Sequence, residues 1–197
     1  MKVLGLSCSP RKKGNTELLL DELLRGAKDE RATTETVGVC HLCISPCRGC
    51  GVCETTGRCA IDDEMAIVYD QINTADAIVL ASPIYFYNVT AQCKVLIDRC
   101  QAFWSQKYVL RGTGPQKVGF FLSVGATGGK KMFDGAILTV RYFFDAINAK
   151  CSGHLFFRGI DKKGEIRSHP TALNEAYEAG TRLVKSMLHG EEKVYPP

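Results

Sequence analysis

Five short apolar runs recur along the chain, and between them lie stretches with the periodicity of helices. No other feature limits the available folds as strongly. The first run, VLGLS (3–7), ends in small residues, and TELLLDELLRGAK (16–28) then sets Leu19, Leu20, Leu23, Leu24 and Ala27 at helical spacing, with Asn15 as the expected N-cap. TTETVGV (33–39) reads as a second strand. DDEMAIVYDQINT (62–74) reads as a helix with acids in its first turn, where the helix dipole favours them. DAIVLASPIYFYN (76–88) is a buried strand running into a loop, after which Val89, Cys93, Leu96, Cys100, Phe103 and Trp104 mark one helix face. KVGFFLSVGATGG (117–129) repeats the strand-then-loop pattern, and Met132, Phe133, Ala136, Ile137, Val140, Phe143, Phe144 and Ile147 give an amphipathic helix. GHLFFRGI (153–160) is the fifth strand. Leu173, Ala176, Tyr177, Gly180, Leu183, Val184 and Met187 make a last helix, which GEEKVYPP (190–197) is expected to end.

Strands separated by helices require right-handed crossovers, and so a parallel α/β sheet covered on both faces. With 197 residues and neither an internal repeat nor a linker, the chain reads as one domain over 1–197.

The net charge of +4 is scattered over RKK (11–13), GKK (129–131) and DKK (161–163), which suits solvated loops better than a nucleic-acid stripe. No apolar run approaches the roughly 18–20 residues of a membrane span, and VLGL after Met1-Lys2 is too short for a signal peptide. The expectation is therefore a cytoplasmic protein without a membrane or nucleic-acid partner. A reducing compartment disfavours structural disulfides among its ten cysteines.

Ligands of open α/β sheets bind beyond the carboxyl ends of the strands, near the switch in strand order. Three loops leave such ends here. SCSPRKKGNT (7–16) leads straight into a helix whose N-terminus suits a phosphate; Ser7, Ser9, Asn15 and Thr16 add donors, and Arg11 and Lys12 add charge. Its glycines fit neither a dinucleotide fingerprint nor a P-loop. SPIYFYN (82–88) contains Pro83, Ile84, Tyr85, Phe86, Tyr87 and Asn88, whose aromatics either cover a flat ligand or pack in the core. SVGATGG (123–129), with Ser123, Gly125, Ala126, Thr127, Gly128 and Gly129, lets backbone approach a polar ring edge, or is a flexible connection. Together the three loops point to a phosphate-bearing aromatic cofactor.

Between the second strand and the second helix lies CRGCGVCETTGRC (47–59), in which Cys47, Cys50, Cys53 and Cys59 form C-x2-C-x2-C-x5-C within a cysteine-rich loop at 40–60. Thiolates three residues apart in a winding loop face one centre, as around a cubane cluster. Zinc ribbons instead separate two C-x-x-C pairs by some 15 to 20 residues. The spacing favours a [4Fe-4S] cluster over zinc, and both over disulfides or free thiols. Cys40 and Cys43 form a further C-x-x-C that reads equally as alternative ligands, a thiol pair or small residues at a strand end. Cys8, Cys93, Cys100 and Cys151 read as packing residues.

SPRKKGNT, ASPIYFYNVTAQCKVLIDR and SVGATGG resemble the FMN-binding oxidoreductases of the NADPH-dependent FMN reductase superfamily, and with the cysteine segment the chain resembles the iron-sulfur flavoproteins of anaerobic archaea and bacteria. The resemblance covers roughly residues 1 to 190 and implies a flavodoxin-like, doubly wound five-stranded sheet of order 2-1-3-4-5 with the cysteine-rich insertion after strand 2. It further implies an FMN whose phosphate sits in the loop from Ser9 to Thr16. Residues 82–88 would lie against the isoalloxazine and 123–129 at its polar edge. Family members commonly carry glycine where this chain has Cys8.

It also implies electron transfer between a [4Fe-4S] cluster on Cys47, Cys50, Cys53 and Cys59 and FMN, exchange with ferredoxin or a similar carrier, and possible reduction of oxygen or peroxide. A homodimer or homotetramer is implied too, with the cluster of one subunit facing the flavin of another. Two alternatives stand beside this: an NAD(P)H-dependent FMN or quinone reductase with a structural cysteine loop, and a zinc-stabilised binding protein. No catalytic dyad or triad stands out, since His41, His154, His169 and His189 are dispersed.

Overall fold

The computed structural model describes residues 1–112 and 114–189. Its strands are β1 (Lys2–Ser7), β2 (Thr33–Gly38), β3 (Ala77–Pro83), β4 (Lys117–Gly125) and β5 (Ala149–Arg158), and they form one parallel sheet in the order β2-β1-β3-β4-β5. The helices are α1 (Asn15–Asp29), α2 (Val52–Thr56), α3 (Met65–Thr74), α4 (Ala91–Arg99), α5 (Gln101–Trp104), α6 (Asp134–Ala146) and α7 (Ala172–His189). This is the flavodoxin-like arrangement.

Alternating side chains of each central strand feed two cores. Leu4, Leu6, Ile78 and Leu80 pack with Met65, Val68 and Ile72 of α3, Leu96 of α4 and Phe143 of α6. On the other face Val3, Ala77 and Val79 pack with Leu19, Leu20 and Leu23 of α1 and Leu183 and Val184 of α7. Complete burial of each such leucine contributes about 2 kcal/mol. α1 and α7 meet at glycines: a Cβ on Gly180 would lie 1.8 Å from the Leu23 carbonyl oxygen, and one on Gly26 would lie 2.0 Å from that of Tyr177.

Four local expectations are corrected. Gly14, not Asn15, is the N-cap of α1, because the Asn15 amide is bonded to a distant loop instead. The acids before α3 precede the helix, although the Asp63 carboxylate accepts from the Met65 N–H at its start. Trp104 is exposed, because the helix is interrupted at Cys100 and continues through α5 into a π-helical turn at Ser105–Val109, which breaks the phase of the apolar stripe. Cys151 is exposed on the edge strand β5 rather than packed in the core. The expected stop at GEEKVYPP lies outside the described residues. None of the described helices is long and apolar enough to cross a membrane.

Candidate functional site

β1 is the point where the order of strand addition reverses, with β2 on one side and β3 on the other. The cleft beyond such a switch is where this topology accepts ligands. The first two loops are bound to each other there. The Cys8 N–H donates to the Ala81 carbonyl (2.8 Å), and the Thr90 hydroxyl donates to the Cys8 carbonyl (2.8 Å) while accepting from the Cys93 N–H at the start of α4. The third loop joins through Ser123, whose hydroxyl donates to the Ser82 carbonyl (2.7 Å), and through the Ile84 N–H donating to the Val124 carbonyl (2.9 Å).

In the first loop Ser7, Ser9 and Thr16 are buried, while Arg11 and Lys12 are exposed. The Ser9 hydroxyl accepts from the Arg11 N–H (3.2 Å), folding the loop back toward α1, whose first N–H groups have no intrahelical partner. The Lys13 N–H donates to the Glu17 carboxylate (2.7 Å). Arg11 and Asn15 turn toward the segment after β5: Arg11 donates to the Asp161 carbonyl (2.7 Å), and Asn15 donates to the Lys162 carbonyl and accepts from the Ile166 N–H. The segment 161–166 therefore forms one side of the loop, a neighbour that no local pattern announces.

The second loop is a two-residue reversal. Tyr85 and Asn88 exchange backbone hydrogen bonds (2.8 and 3.0 Å), and Phe86 and Tyr87 between them have φ of 49° and 61°. Positive φ at both central positions defines a type I′ turn, which normally takes Asn and Gly. Large aromatic residues there are strained, and such strain gathers at functional sites. The Phe86 side chain touches nothing, at 103% relative exposure, and Tyr85 and Tyr87 are exposed beside it. Tyr87 leans on the third loop, where a Cβ on Gly129 would come within 3.0 Å of its hydroxyl. Pro83, Ile84 and Asn88 are half-buried at the base of the turn, Ser123 and Gly125 are buried, Gly129 is half-buried, and Ala126, Thr127 and Gly128 are exposed.

A second cavity opens beside the cysteine-rich loop. Cys47, Cys50, Cys53 and Cys59 line one open pocket of about 460 Å³, and Arg99, Gln101 and Ala102 line it with them. Gly49 and Gly51 flank Cys50 at φ of 62° and 74°, left-handed conformations that let the chain wind around the pocket. Among the described residues no group of three His, Cys, Asp or Glu side chains is placed to hold a metal ion. A lone tetrahedral ion needs its sulfurs gathered at about 2.3 Å from one point. A cubane takes one thiolate at each iron corner, so thiols spaced around a cavity suit it better. Cys40 and Cys43 do not line this pocket; burial, and then the neighbouring Cys93, push the Cys40 thiol up to about 11. Burial likewise raises Cys8 and Cys100, which keeps both as protonated packing groups.

Sequence reasoning missed the residues that hold this loop in place. Arg99 is 1% exposed; it donates to the Ser45 carbonyl (2.8 Å) ahead of the cysteines, to the Ile61 carbonyl (3.3 Å) after them, and to both oxygens of Asp63 (2.7 and 3.1 Å). Burial alone would raise the Asp63 carboxyl, but hydrogen bonds from Arg99 and from the N–H groups of Ser45 and Met65 outweigh it and hold it below its ordinary value. Burial opposes the Arg99 charge, and Asp63 with nearby Tyr69 and Cys59 more than restores it. Ser105, fully buried in the π-helical turn, donates to the Cys53 sulfur (3.4 Å). One signal was present: position 99 lies three residues after Leu96, on the apolar stripe of α4.

The histidines are structural in setting. His154 stacks on Phe156 (4.3 Å), and His169 accepts from the Ala172 N–H at the start of α7 (3.1 Å).

The sequence and fold are similar to those of known flavoproteins. The family model described as NADPH-dependent FMN reductase matches residues 1–151. An iron-sulfur flavoprotein of Methanosarcina thermophila is 38% identical over 127 residues, 64% of each chain. Another of that name, from Methanocaldococcus jannaschii, is 34% identical over 148 residues, 73% of this chain and 71% of its own. The chain thus spans less than two thirds of the first of these relatives. Among solved structures, an NAD(P)H:quinone oxidoreductase from Methanothermobacter marburgensis superposes with a TM-score of 0.72 at 16% identity, covering 93% of this chain and 96% of its own. An FMN-dependent NADH-azoreductase from Bacillus anthracis in complex with FMN superposes at 0.68 with 14% identity, covering 93% and 99%. At these identities the structures establish the fold alone.

Proposed function

Since this chain belongs to the NADPH-dependent FMN reductase family and its relatives include proteins named iron-sulfur flavoproteins, we propose that it is a redox protein carrying electrons between FMN at the β1/β3 cleft and a [4Fe-4S] cluster in the cysteine pocket. FMN takes up two electrons and releases them singly while a cubane passes one at a time, so the pair joins two-electron to one-electron chemistry.

One observation supports this reading: the junction of the first two loops and the cysteine-lined pocket lie at opposite ends of α4. Thr90 caps the helix where the first two loops are tied together, and Arg99 ends it in the wall of the cysteine pocket. Its nine residues rise roughly 13 Å. In this proposal α4 spaces the two centres.

In this proposal the loop from Ser9 to Thr16 binds the FMN phosphate at the N-terminus of α1, with Ser7, Ser9 and Thr16 as inner donors and Arg11, Lys12 and Asn15 at the rim. Residues 83–88 supply the surface for the ring, and Ser123, Gly125 and 126–129 its polar edge. Cys47, Cys50, Cys53 and Cys59 hold the cluster. The partner is a small carrier such as ferredoxin, the compartment is the reducing cytoplasm, and the assembly is a homodimer or homotetramer. Residues 1–197 act as one FMN-binding unit in which the loop at 40–60 is the added part.

Cys50→Ala tests the assignment of the two sites: the variant should lose iron and keep FMN. Full iron occupancy would instead implicate Cys40 or Cys43. The exposed Tyr85–Tyr87 surface also suits a nicotinamide stacked on the flavin, which favours a second reading as an NAD(P)H-dependent FMN or quinone reductase. Rapid flavin reduction by NADPH without ferredoxin would select it.

A further inference from the structure

Arg99 does more than close the cysteine loop. Among the described residues, its Nε is the one buried side-chain nitrogen or oxygen without a hydrogen-bond partner. Its two terminal nitrogens are taken by Ser45, Ile61 and Asp63, which leaves a buried N–H unspent on a residue that lines the pocket shared by the four cysteines. A buried donor without a partner carries the full cost of its desolvation, and the more so on a charged group. Here the pocket itself offers acceptors, because thiolates accept hydrogen bonds and carry negative charge.

We propose that Arg99 is the positioning and potential-setting residue of the cysteine pocket, its Nε–H and charge directed at the group the four thiolates hold. This rests on the cluster reading above. Four thiolates give that group a negative charge which grows when an electron is added, so a fixed cation beside it stabilises the reduced form. Asp63 works against this: it offsets the arginine's charge, although its carboxylate also keeps the guanidinium in place. The wall also carries Arg48, Glu54 and Asp98, which are common to wild type and the variants below, so the contribution of the pair is the imbalance between a cation that lines the pocket and an anion, Asp63, that does not.

The opposed charges make the test directional. Full-length wild type, Arg99→Gln, Arg99→Lys and Asp63→Asn are loaded with iron and sulfide without air, their iron counted, and the midpoint of the cluster followed by electron paramagnetic resonance during a redox titration. Arg99→Gln should weaken the reduction equilibrium at least tenfold, a fall of 59 mV for a one-electron couple. Asp63→Asn should move it the opposite way, and Arg99→Lys, which keeps the charge without Nε, should lie between wild type and Arg99→Gln. A structural clamp would lower iron content in all three without this ordering. If Arg99→Gln does not fold, the sign of the Asp63→Asn shift decides. Iron-loaded variants with unmoved midpoints would overturn this inference alone. Wild type that takes up no iron would overturn the cluster reading and this inference with it.

Discussion

The hydroxyl of Ser105 donates to the sulfur of Cys53 across 3.4 Å, from a π-helical turn that follows directly on α5. Such turns are rare and cluster at functional sites. The widened turn is also where Gln106 donates to the Gly57 carbonyl (2.6 Å), so two successive residues bind the cysteine loop. Hydrogen bonds to ligand sulfur raise the potential of an iron-sulfur centre. Ser105→Ala should keep its iron and weaken the reduction equilibrium about fivefold, the equivalent of one ordinary hydrogen bond near 1 kcal/mol. Redox titration checks it; a midpoint equal to wild type would show the contact to be idle.

The Arg99–Asp63 pair makes the stability of the loop depend on pH. The Asp63 carboxyl is held below its ordinary value in the folded chain. Its contribution is therefore complete above the unfolded value, about 3.9, and is lost as pH falls through the depressed folded one. Asp63→Asn should cost about 3 kcal/mol near neutrality, since it leaves a buried guanidinium unpaired. In urea unfolding the gap from wild type should hold down to about pH 5 and narrow below about pH 4. A gap that widens on acidification would contradict the assignment.

The strained aromatic turn predicts a trade of stability for binding. Phe86 has φ of 49° and buries no side-chain surface. Phe86→Gly therefore removes backbone strain without loss of packing and should stabilise the chain by up to about 1 kcal/mol. For a domain of this size that is about 2–4 °C in Tm. The same variant should bind FMN more weakly, because the surface offered to the ring is smaller. Calorimetry and flavin fluorescence measure the two effects, and an unstable variant with unchanged FMN affinity would refute both.

Most of the scaffold was legible because burial imposes a period. Strands such as 77–83 are covered on both faces, so their apolar runs are continuous, and the helices between them show 3.6-residue stripes. The site was legible where small residues and cysteines recur at fixed spacing. It was not legible where partners are distant: Arg99 meets Asp63 and Ser45, 36 and 54 positions away, and no local pattern announces that a buried cation will close a loop. The turn at Phe86 and Tyr87 was equally hidden, since it lacks the Asn-Gly pair that normally marks its geometry. Asn15 had the chemistry of a cap but is drawn instead to Lys162 and Ile166.

The contact of α1 with α7 gives a prediction independent of the cofactors. A methyl group at Gly180 would lie 1.8 Å from the Leu23 carbonyl oxygen, and backbone cannot swing aside as a side chain can. Gly180→Ala should destabilise the chain by about 3 kcal/mol or more despite its better helix propensity. Equal or raised stability in chemical denaturation would mean that the helices pack farther apart.

In the proposed function one chain carries two redox centres. Iron, sulfide, zinc and flavin analysis of protein purified without air, together with its absorption spectrum, tests this most directly. The expected result is one FMN with about four iron and four sulfide per chain, as a cubane requires, and flavin bands over a broad iron-sulfur background. FMN without iron, or a colourless protein with one zinc per chain, would contradict it.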